Sequence, residues 1–334
     1  MTSKTRPKRL ITIHFSFGFQ VHELLRIKQI MCLSLKDQFR RRNLWPCDAD
    51  IADFSSSMWL TGRAFIVYRV VLALYTTAMT VLAVIERQYQ GLKWLIFLTN
   101  WSYTFINLHF VTQAFLVYYY QTVQPNSNGS DSDGSNSDGS NSNGSNSNGS
   151  NINGMNIKGS NKEYEEESES DDNSDDEQFI FSVEPQLPLA CKVSWIICDI
   201  ASNIAFPVTV MFWSLVYKPG DFDFVTLNSH ALNSVLIVID IMVSSIPIKL
   251  LHVIYPIIFI TVYMIFSIIY WACGGTNPYG EPYIYPALDY SGHPKRAAVI
   301  ICLFLFVGNA MSQLLLFGLY ELRLKLNRSW NRLI

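Results

Sequence analysis

Residues 250–272 read LLHVIYPIIFITVYMIFSIIYWA and contain no Asp, Glu, Lys or Arg. A helix of about 20 apolar residues crosses the roughly 30 Å hydrocarbon core of a bilayer, because each residue rises about 1.5 Å. This stretch therefore predicts a membrane-spanning helix. Residues 297–320 are equally free of charge and predict a second one.

Four further stretches are long and apolar enough to span a bilayer. Residues 94–120 carry no charge, and the other three each carry one charged residue: 64–85, 193–217 and 224–248. Every backbone donor and acceptor in hydrocarbon must be paired internally, so these stretches are expected to be helices. The sequence thus predicts an all-α integral membrane protein with a bundle of six transmembrane helices and a disordered acidic insert.

The overall composition agrees with this fold class. The chain has 334 residues, of which 49% are hydrophobic and 16% charged, whereas soluble domains carry about 25% charged residues. This excess of apolar residues argues against an ordinary soluble enzyme. Nucleic acid is not expected as a partner, because no basic patch accompanies a soluble fold.

The acidic insert covers residues 121–186. It holds 14 of the 27 acidic residues, and glycine recurs every five residues from 129 to 159. Such residues cannot bury a core, so a flexible spacer is expected. The predicted organisation is a basic cytoplasmic segment, two spans, the insert, four spans and a basic cytoplasmic tail: 1–58, 59–120, 121–186, 187–320 and 321–334.

Basic residues orient the predicted bundle. Ten of them lie in the first 45 residues, and four more follow residue 320, so the positive-inside rule places both termini in the cytoplasm. Residues 22–39 have apolar side chains at 24, 25, 27, 30, 31, 33 and 35 with basic residues between them, a pattern that suggests an interfacial amphipathic helix. Alternatively, translation begins at Met31 and residues 1–30 are an artefact of the gene model.

Three charged residues lie inside predicted spans: Arg69, Asp199 and Asp240. Insertion of a charged side chain at the bilayer centre costs at least about 2.5–3.5 kcal/mol of free energy. Each of these residues is therefore expected to have a partner of opposite charge or a functional role. Arg69 could pair with either acid and hold the bundle together. The other interpretation is a substrate counter-ion or a proton-linked role.

Two of the predicted helices have a polar face. Asn100, Thr104 and Asn107 share one face of the second span, as do His230, Asn233 and Asp240 on the fourth. Such faces commonly hydrogen-bond to neighbouring membrane helices. The alternative is a catalytic pocket with Thr99 as nucleophile and His230 as its base.

Metal ligation is not expected from the cysteines or histidines. The six cysteines show no CxxC spacing and the six histidines no HExxH pair. We expect neither a metal nor an organic cofactor.

Several segments have a distinctive order of residues. The most specific is GGTNPYGEPYIYPALDY at 274–290, and the others are Tyr68-Arg69, FLTNW at 97–101 and the stretch from His230 to Asp240. With these segments, residues 36–120 and 187–325 resemble the rolling-stone family of multi-pass membrane proteins. The resemblance implies an integral protein of the plasma membrane that acts in membrane organisation or in cell–cell fusion, as in insect myoblasts. Its partners would be the lipid bilayer and other membrane proteins.

The chain is more distantly similar to the androgen-induced membrane hydrolases of fatty-acid esters. Thr99 in Phe-Leu-Thr and the ten-residue interval from His230 to Asp240 fit their pattern, although Asn228-Ser229-His230 lacks one of their histidines. This similarity implies Thr99 as nucleophile, His230 as base, and Asn100, Asn233 and Asp240 in support. The alternative function is therefore an intramembrane hydrolase of lipid esters.

Overall fold

The computed structural model describes residues 37–123, 186–218, 220 and 222–332. Most of these residues lie in long helices, which we number α1 to α6: Gly62–Glu86, Leu98–Tyr118, Leu189–Val216, Phe224–Val243, Leu250–Ala272 and Pro294–Trp330. The predicted helix at 22–39 (but for its last residues), Met31 and nearly all of the acidic insert lie outside the described residues.

Shorter elements connect or interrupt these helices. The connecting elements are the short α-helix Ile51–Ser55 and the 3-10 turns Arg41–Leu44, Gln88–Ile96 and Pro286–Leu288, and a further 3-10 turn, Leu250–Val253, opens α5. The π-helical segments are Tyr119–Val123, Phe212–Val216, Asn228–Leu232 and Leu303–Gly308. In the part of the chain that the structure describes, β-structure is limited to one antiparallel bridge between Ser57 and Ser244.

Among the described residues, five helices are long and apolar enough to cross a membrane: α1, α3, α4, α5 and α6. The predicted all-α membrane bundle is thereby confirmed, but the count of six spans is not. The remaining helix, α2, lies within the predicted span 94–120 and is not among the five. Its polar residues include Asn100, Asn107, His109 and Gln113.

The outer surface of the bundle is apolar, as expected for a protein that faces lipid. Large apolar side chains are exposed along the outer faces of α1, α5 and α6, including Val71, Leu74, Ile265, Ile269 and Phe306. In water a contiguous apolar surface of this kind would promote association. Here it is the surface that the hydrocarbon core contacts.

Successive long helices run in alternating directions, so that the helix termini lie at two opposite ends of the bundle. At the first end, the Ser57 hydroxyl donates to the Val243 carbonyl at 2.6 Å, and Gln121 Nε2 donates to the Ser55 carbonyl. Trp195 Nε1 of α3 donates to the Pro247 carbonyl at 3.0 Å on the same end. We call this the terminal end, because the described N-terminal segment lies there.

The opposite end is held by contacts from the α1–α2 connection. Arg87 pairs with Asp223 at 2.6 Å, just before α4 begins. Lys93 Nζ donates to Thr276 Oγ1 and to the Asn277 carbonyl, each at 2.9 Å. We call this the loop end, because residues 274–293 lie there.

The most buried of the five long apolar helices is α3. Ala201, Ile204 and Ala205 of α3 are fully buried and pack against side chains of the surrounding helices. Helix α6 continues through Trp330 and so includes most of the residues of the predicted tail at 321–334.

Candidate functional site

A cavity of about 60 Å³ lies near the loop end of the bundle. Almost all its lining is apolar, and three side chains that line it carry a hydroxyl: Thr99, Tyr263 and Tyr285. The apolar lining includes Val208, Met211, Phe212, Leu215, Met264, Leu288, Ile300 and Phe304. The cavity therefore combines a hydrocarbon-like wall with a few hydroxyl groups.

The size of the cavity limits what it can enclose. An engineered cavity of about 150 Å³ accommodates benzene, so a cavity of about 60 Å³ holds only a small group. Leu215 lines the cavity and is 46% exposed, which places one side of the cavity at the outer surface of the bundle. A long chain could enter only in part, with the rest remaining in the lipid.

Two π-helical segments form part of the cavity wall. Phe212–Val216 contributes Phe212, Leu215 and Val216, and Leu303–Gly308 contributes Phe304. A third π-helical segment, Asn228–Leu232, carries His230. Single π-helical turns inside α-helices occur frequently at functional sites. This concentration around one cavity was not predictable from hydropathy.

Thr99 lies in the first turn of α2. Its position is fixed by the extended residue Phe97, which caps the helix, and by Tyr263, whose hydroxyl donates to the Ile96 carbonyl at 2.9 Å. Burial raises the pKa of Tyr285, and hydrogen bonding with Thr99 lowers it in part. The Tyr285 phenol and Thr99 line the same cavity.

His230 does not line the cavity, although it touches its wall. Its ring stacks on Phe212, with the centroids 3.4 Å apart and the planes within 4° of parallel. The ring is buried and its Nδ1 has no hydrogen-bond partner. No hydrogen bond joins Thr99 to His230 within the described ranges, so the catalytic pair stays a prediction.

The two asparagines predicted to support catalysis are bound elsewhere. Asn100 Nδ2 donates to the Trp94 carbonyl at 2.6 Å. Asn233 Oδ1 accepts a hydrogen bond from Thr209 at 3.1 Å, which links α4 to α3. Neither side chain lines the cavity.

Asp240 belongs to a separate buried cluster. Its Oδ1 lies 2.5 Å from Arg69 Nη1, and its Oδ2 lies 2.9 Å from His109 Nε2. The Tyr68 hydroxyl donates to Oδ1 at 3.2 Å. One carboxylate thus connects α1, α2 and α4, which is the arrangement expected of a structural charge pair.

Asp199 pairs with a histidine and not with Arg69. Its Oδ2 lies 2.6 Å from His252 Nδ1, and both side chains are buried. The His252 ring packs edge-on against Trp195, and the Lys249 ammonium lies 4.8 Å from the centre of the Trp195 ring. The sequence did not reveal His109 and His252 as the partners of Asp240 and Asp199, because more than 50 residues separate each histidine from its acid.

The loop at 274–290 brings Tyr285 to the cavity. Gly274 adopts a φ of +76°, and a Cβ at Gly275 would clash with the Tyr270 carbonyl, so both positions require glycine. Arg296 Nη2 donates to the Pro286 carbonyl at 2.7 Å. Together with Lys93, this bond fixes the loop over the end of the bundle.

Metal ligation is not supported by the geometry. Among residues 37–123 and the described part of 186–332, no three His, Cys, Asp or Glu side chains converge to hold an ion. The cavity itself is lined by the hydroxyl groups of Thr99, Tyr263 and Tyr285 in an otherwise apolar surrounding.

Comparison with known proteins finds a similarity in the second half of the chain. Residues 185–333 match the family model described as protein rolling stone. Protein rolling stone of Drosophila melanogaster is 29% identical over 144 residues, which cover 42% of this chain and 52% of that protein. The chain thus spans about half the length of this curated relative, and no solved structure matches.

The resemblance to the rolling-stone family is therefore confirmed for residues 185–333. The match includes α3 to α6 with Asp199, His230, Asp240 and Tyr285. Arg69 and Thr99 lie before it. Together with the apolar helices, this match identifies an integral, multi-pass membrane protein.

Proposed function

We propose that this rolling-stone-like membrane protein hydrolyses lipid esters at the cavity, with Thr99 as nucleophile and His230 as base. The observation that carries the proposal is the convergence of three distant sequence elements. Thr99 of α2 and Tyr285 of the 274–290 loop line one cavity, and His230 of α4 stacks on its wall at Phe212. Thr99 and His230 lie in the segments whose sequence is similar to the ester hydrolases.

In this mechanism the Thr99 oxygen attacks the ester carbonyl carbon, and His230 takes the hydroxyl proton. The tetrahedral intermediate then breaks its bond to the alcohol oxygen, which receives that proton. Water cleaves the resulting acyl-threonine in the second half of the reaction. His230 stacks on Phe212 and does not line the cavity, so the mechanism requires the Phe212 ring to move before the imidazole can reach the Thr99 hydroxyl.

The proposed substrate reaches the site from the bilayer. The cavity extends to the outer surface at Leu215, and its lining is apolar. Only a small part of an acyl chain fits inside about 60 Å³. The ester group would therefore lie at Thr99 while most of the chain stays among the lipids.

The test is ester hydrolysis by the full-length protein reconstituted in liposomes. Thr99→Val and His230→Gln should each lower the rate by at least about 10³-fold, as removal of a catalytic nucleophile or base does elsewhere. Thr104→Val is the matched control, because Thr104 lies on the same helix with its hydroxyl bound to the Asn100 carbonyl. Unchanged hydrolysis by Thr99→Val would overturn the proposal, as would folded wild-type protein that cleaves no ester.

A second candidate function is membrane organisation during cell–cell fusion at the plasma membrane. The match of residues 185–333 to the rolling-stone model favours it. In this role the apolar outer surface would contact lipid and other membrane proteins, while the charged side chains only hold the bundle together.

A two-colour cell-mixing experiment tests the second candidate. Cells that express the protein should exchange contents faster than control cells, and Thr99→Val should mix as fast as wild type because no chemistry is involved. An unchanged mixing rate at equal surface expression would exclude this function. Mixing that depends on Thr99 would instead connect fusion with the hydrolase.

A further inference from the structure

Three hydroxyl-bearing side chains line the cavity, and one of them is occupied by a structural bond. Tyr263 donates its hydroxyl to the Ile96 carbonyl at 2.9 Å and so fixes the segment before α2. Thr99 is the proposed nucleophile. Tyr285 is the remaining donor that lines the same space.

Tyr285 is held firmly in this position. Its ring packs edge-on against Phe97, with the centroids 5.6 Å apart. Its carbonyl accepts the Leu288 N–H at 2.9 Å within the 3-10 turn Pro286–Leu288, and Arg296 holds the Pro286 carbonyl. A hydrogen-bond donor that is already in position before the reaction does not have to reorganise when the transition state forms.

The two asparagines expected to support catalysis are not available at the cavity. Neither side chain lines the cavity. Asn100 Nδ2 donates to the Trp94 carbonyl, and Asn233 faces α3, where its Oδ1 accepts a hydrogen bond from Thr209. An oxyanion formed at Thr99 would therefore need another donor.

We infer that the Tyr285 phenol donates the hydrogen bond that stabilises the oxyanion when Thr99 attacks an ester. The inference rests on the proposed hydrolase function. As the bond between Thr99 Oγ and the carbonyl carbon forms, the C=O π-electron pair moves to the carbonyl oxygen. The Tyr285 O–H donates to that oxygen without transferring its proton, and the pair returns when the bond to the alcohol breaks.

The protonation state of Tyr285 suits this role. Burial raises the pKa of the phenol, and hydrogen bonds from Thr99 and from neighbouring groups offset this only in part. The phenol therefore keeps its proton at neutral pH and acts as a donor.

Tyr285→Phe tests the inference, because it keeps the ring against Phe97 and removes only the hydroxyl. Loss of one oxyanion donor typically lowers kcat by about 10²–10³-fold, and we expect this loss with little change in KM. Tyr290→Phe is the control: Tyr290 lies in the same loop, its hydroxyl is 2.8 Å from Ser267 Oγ, and it does not line the cavity.

The possible outcomes distinguish a failure of the role of Tyr285 from a failure of the proposed hydrolase function. Active wild type and equally active Tyr285→Phe would overturn the role of Tyr285 and leave the hydrolase intact. A raised KM with unchanged kcat would overturn it too, since Tyr285 would then only bind substrate. If Tyr290→Phe also loses activity and both variants melt at a lower temperature, the loss in Tyr285→Phe comes from a disturbed loop. That result too would overturn the role of the Tyr285 hydroxyl. Activity independent of Thr99 would refute the proposed function itself.

Discussion

Arg69 and Asp240 are separated by 171 residues in sequence, yet Arg69 Nη1 lies 2.5 Å from Asp240 Oδ1 in the interior of the bundle. Arg69 is fully buried and its guanidinium also lies 4.9 Å from the centre of the Phe65 ring. The same carboxylate reaches His109 of α2. This single acid therefore fixes the relative positions of α1, α2 and α4.

Loss of the arginine should destabilise the bundle strongly. Arg69→Gln leaves the buried Asp240 carboxylate without its cation, which typically costs about 3–5 kcal/mol. Thermal unfolding in detergent, followed by size-exclusion chromatography after heating, measures the effect. Arg63→Gln is the control, because Arg63 is exposed on the same helix. The double variant Arg69→Gln/Asp240→Asn should recover part of the loss, and equal stability of Arg69→Gln and Arg63→Gln would contradict the structural role.

Arg323 ties α6 to the end of α4. Its guanidinium donates to four backbone carbonyls at the end of α4 and beyond: Ile241, Ser244, Ser245 and Ile246. A cation at a helix C-terminus interacts favourably with the helix dipole, and Lys cannot reproduce this forked set of bonds. Arg323→Lys should therefore lower stability by on the order of 2 kcal/mol. Arg328→Lys, exposed further along α6, should have no measurable effect.

The ion pair at the loop end predicts a weak pH dependence. Partial burial raises the pKa of Asp223, but the bonds from Thr226 and the Arg87 guanidinium outweigh this, and the net pKa lies below its ordinary value. The folded state is thus stabilised above about pH 4, and this contribution is lost as the pH falls through the lowered pKa. The Asp223 side chain is 43% exposed, so the effect should stay below about 1 kcal/mol. The melting temperatures of wild type and Asp223→Asn should differ at pH 7 and converge at acid pH; an equal difference at both would refute the linkage.

We propose that both termini are cytoplasmic, which glycosylation mapping tests. The acceptor sequences at Asn128, Asn143 and Asn148 lie outside the described residues and should stay unmodified in cells. An acceptor built at the loop end by Tyr279→Asn with Glu281→Thr should be modified. The reverse pattern would invert the orientation.

The helices could be predicted from the sequence because hydropathy depends on local composition. The span at 250–272 coincides with α5, and that at 64–85 differs from α1 by one or two residues. The span predicted at 94–120 begins too early, because Gln88–Ile96 forms a 3-10 segment with Gly91 at a φ of +54°. A window of apolar residues does not detect such a change of direction.

The partners of the polar side chains were harder to predict. The spacing predicted which helix faces carry Asn100 and Asn233. It could not show that Asn100 hydrogen-bonds to the Trp94 carbonyl or that Asn233 hydrogen-bonds to Thr209. Similarly, nothing local connects Asp199 to His252 or Arg323 to the carbonyls after α4. These contacts depend on how the helices pack, which a single sequence does not specify.

We propose that the Thr99 hydroxyl is the reactive group of an intramembrane ester hydrolase. The most direct measurement treats the membrane-embedded protein with a fluorophosphonate and maps the modified peptide by mass spectrometry. We predict one adduct on Thr99 that is absent from Thr99→Val and present in Thr104→Val. A folded protein that carries no adduct on Thr99, or carries it on another residue, would contradict the claim.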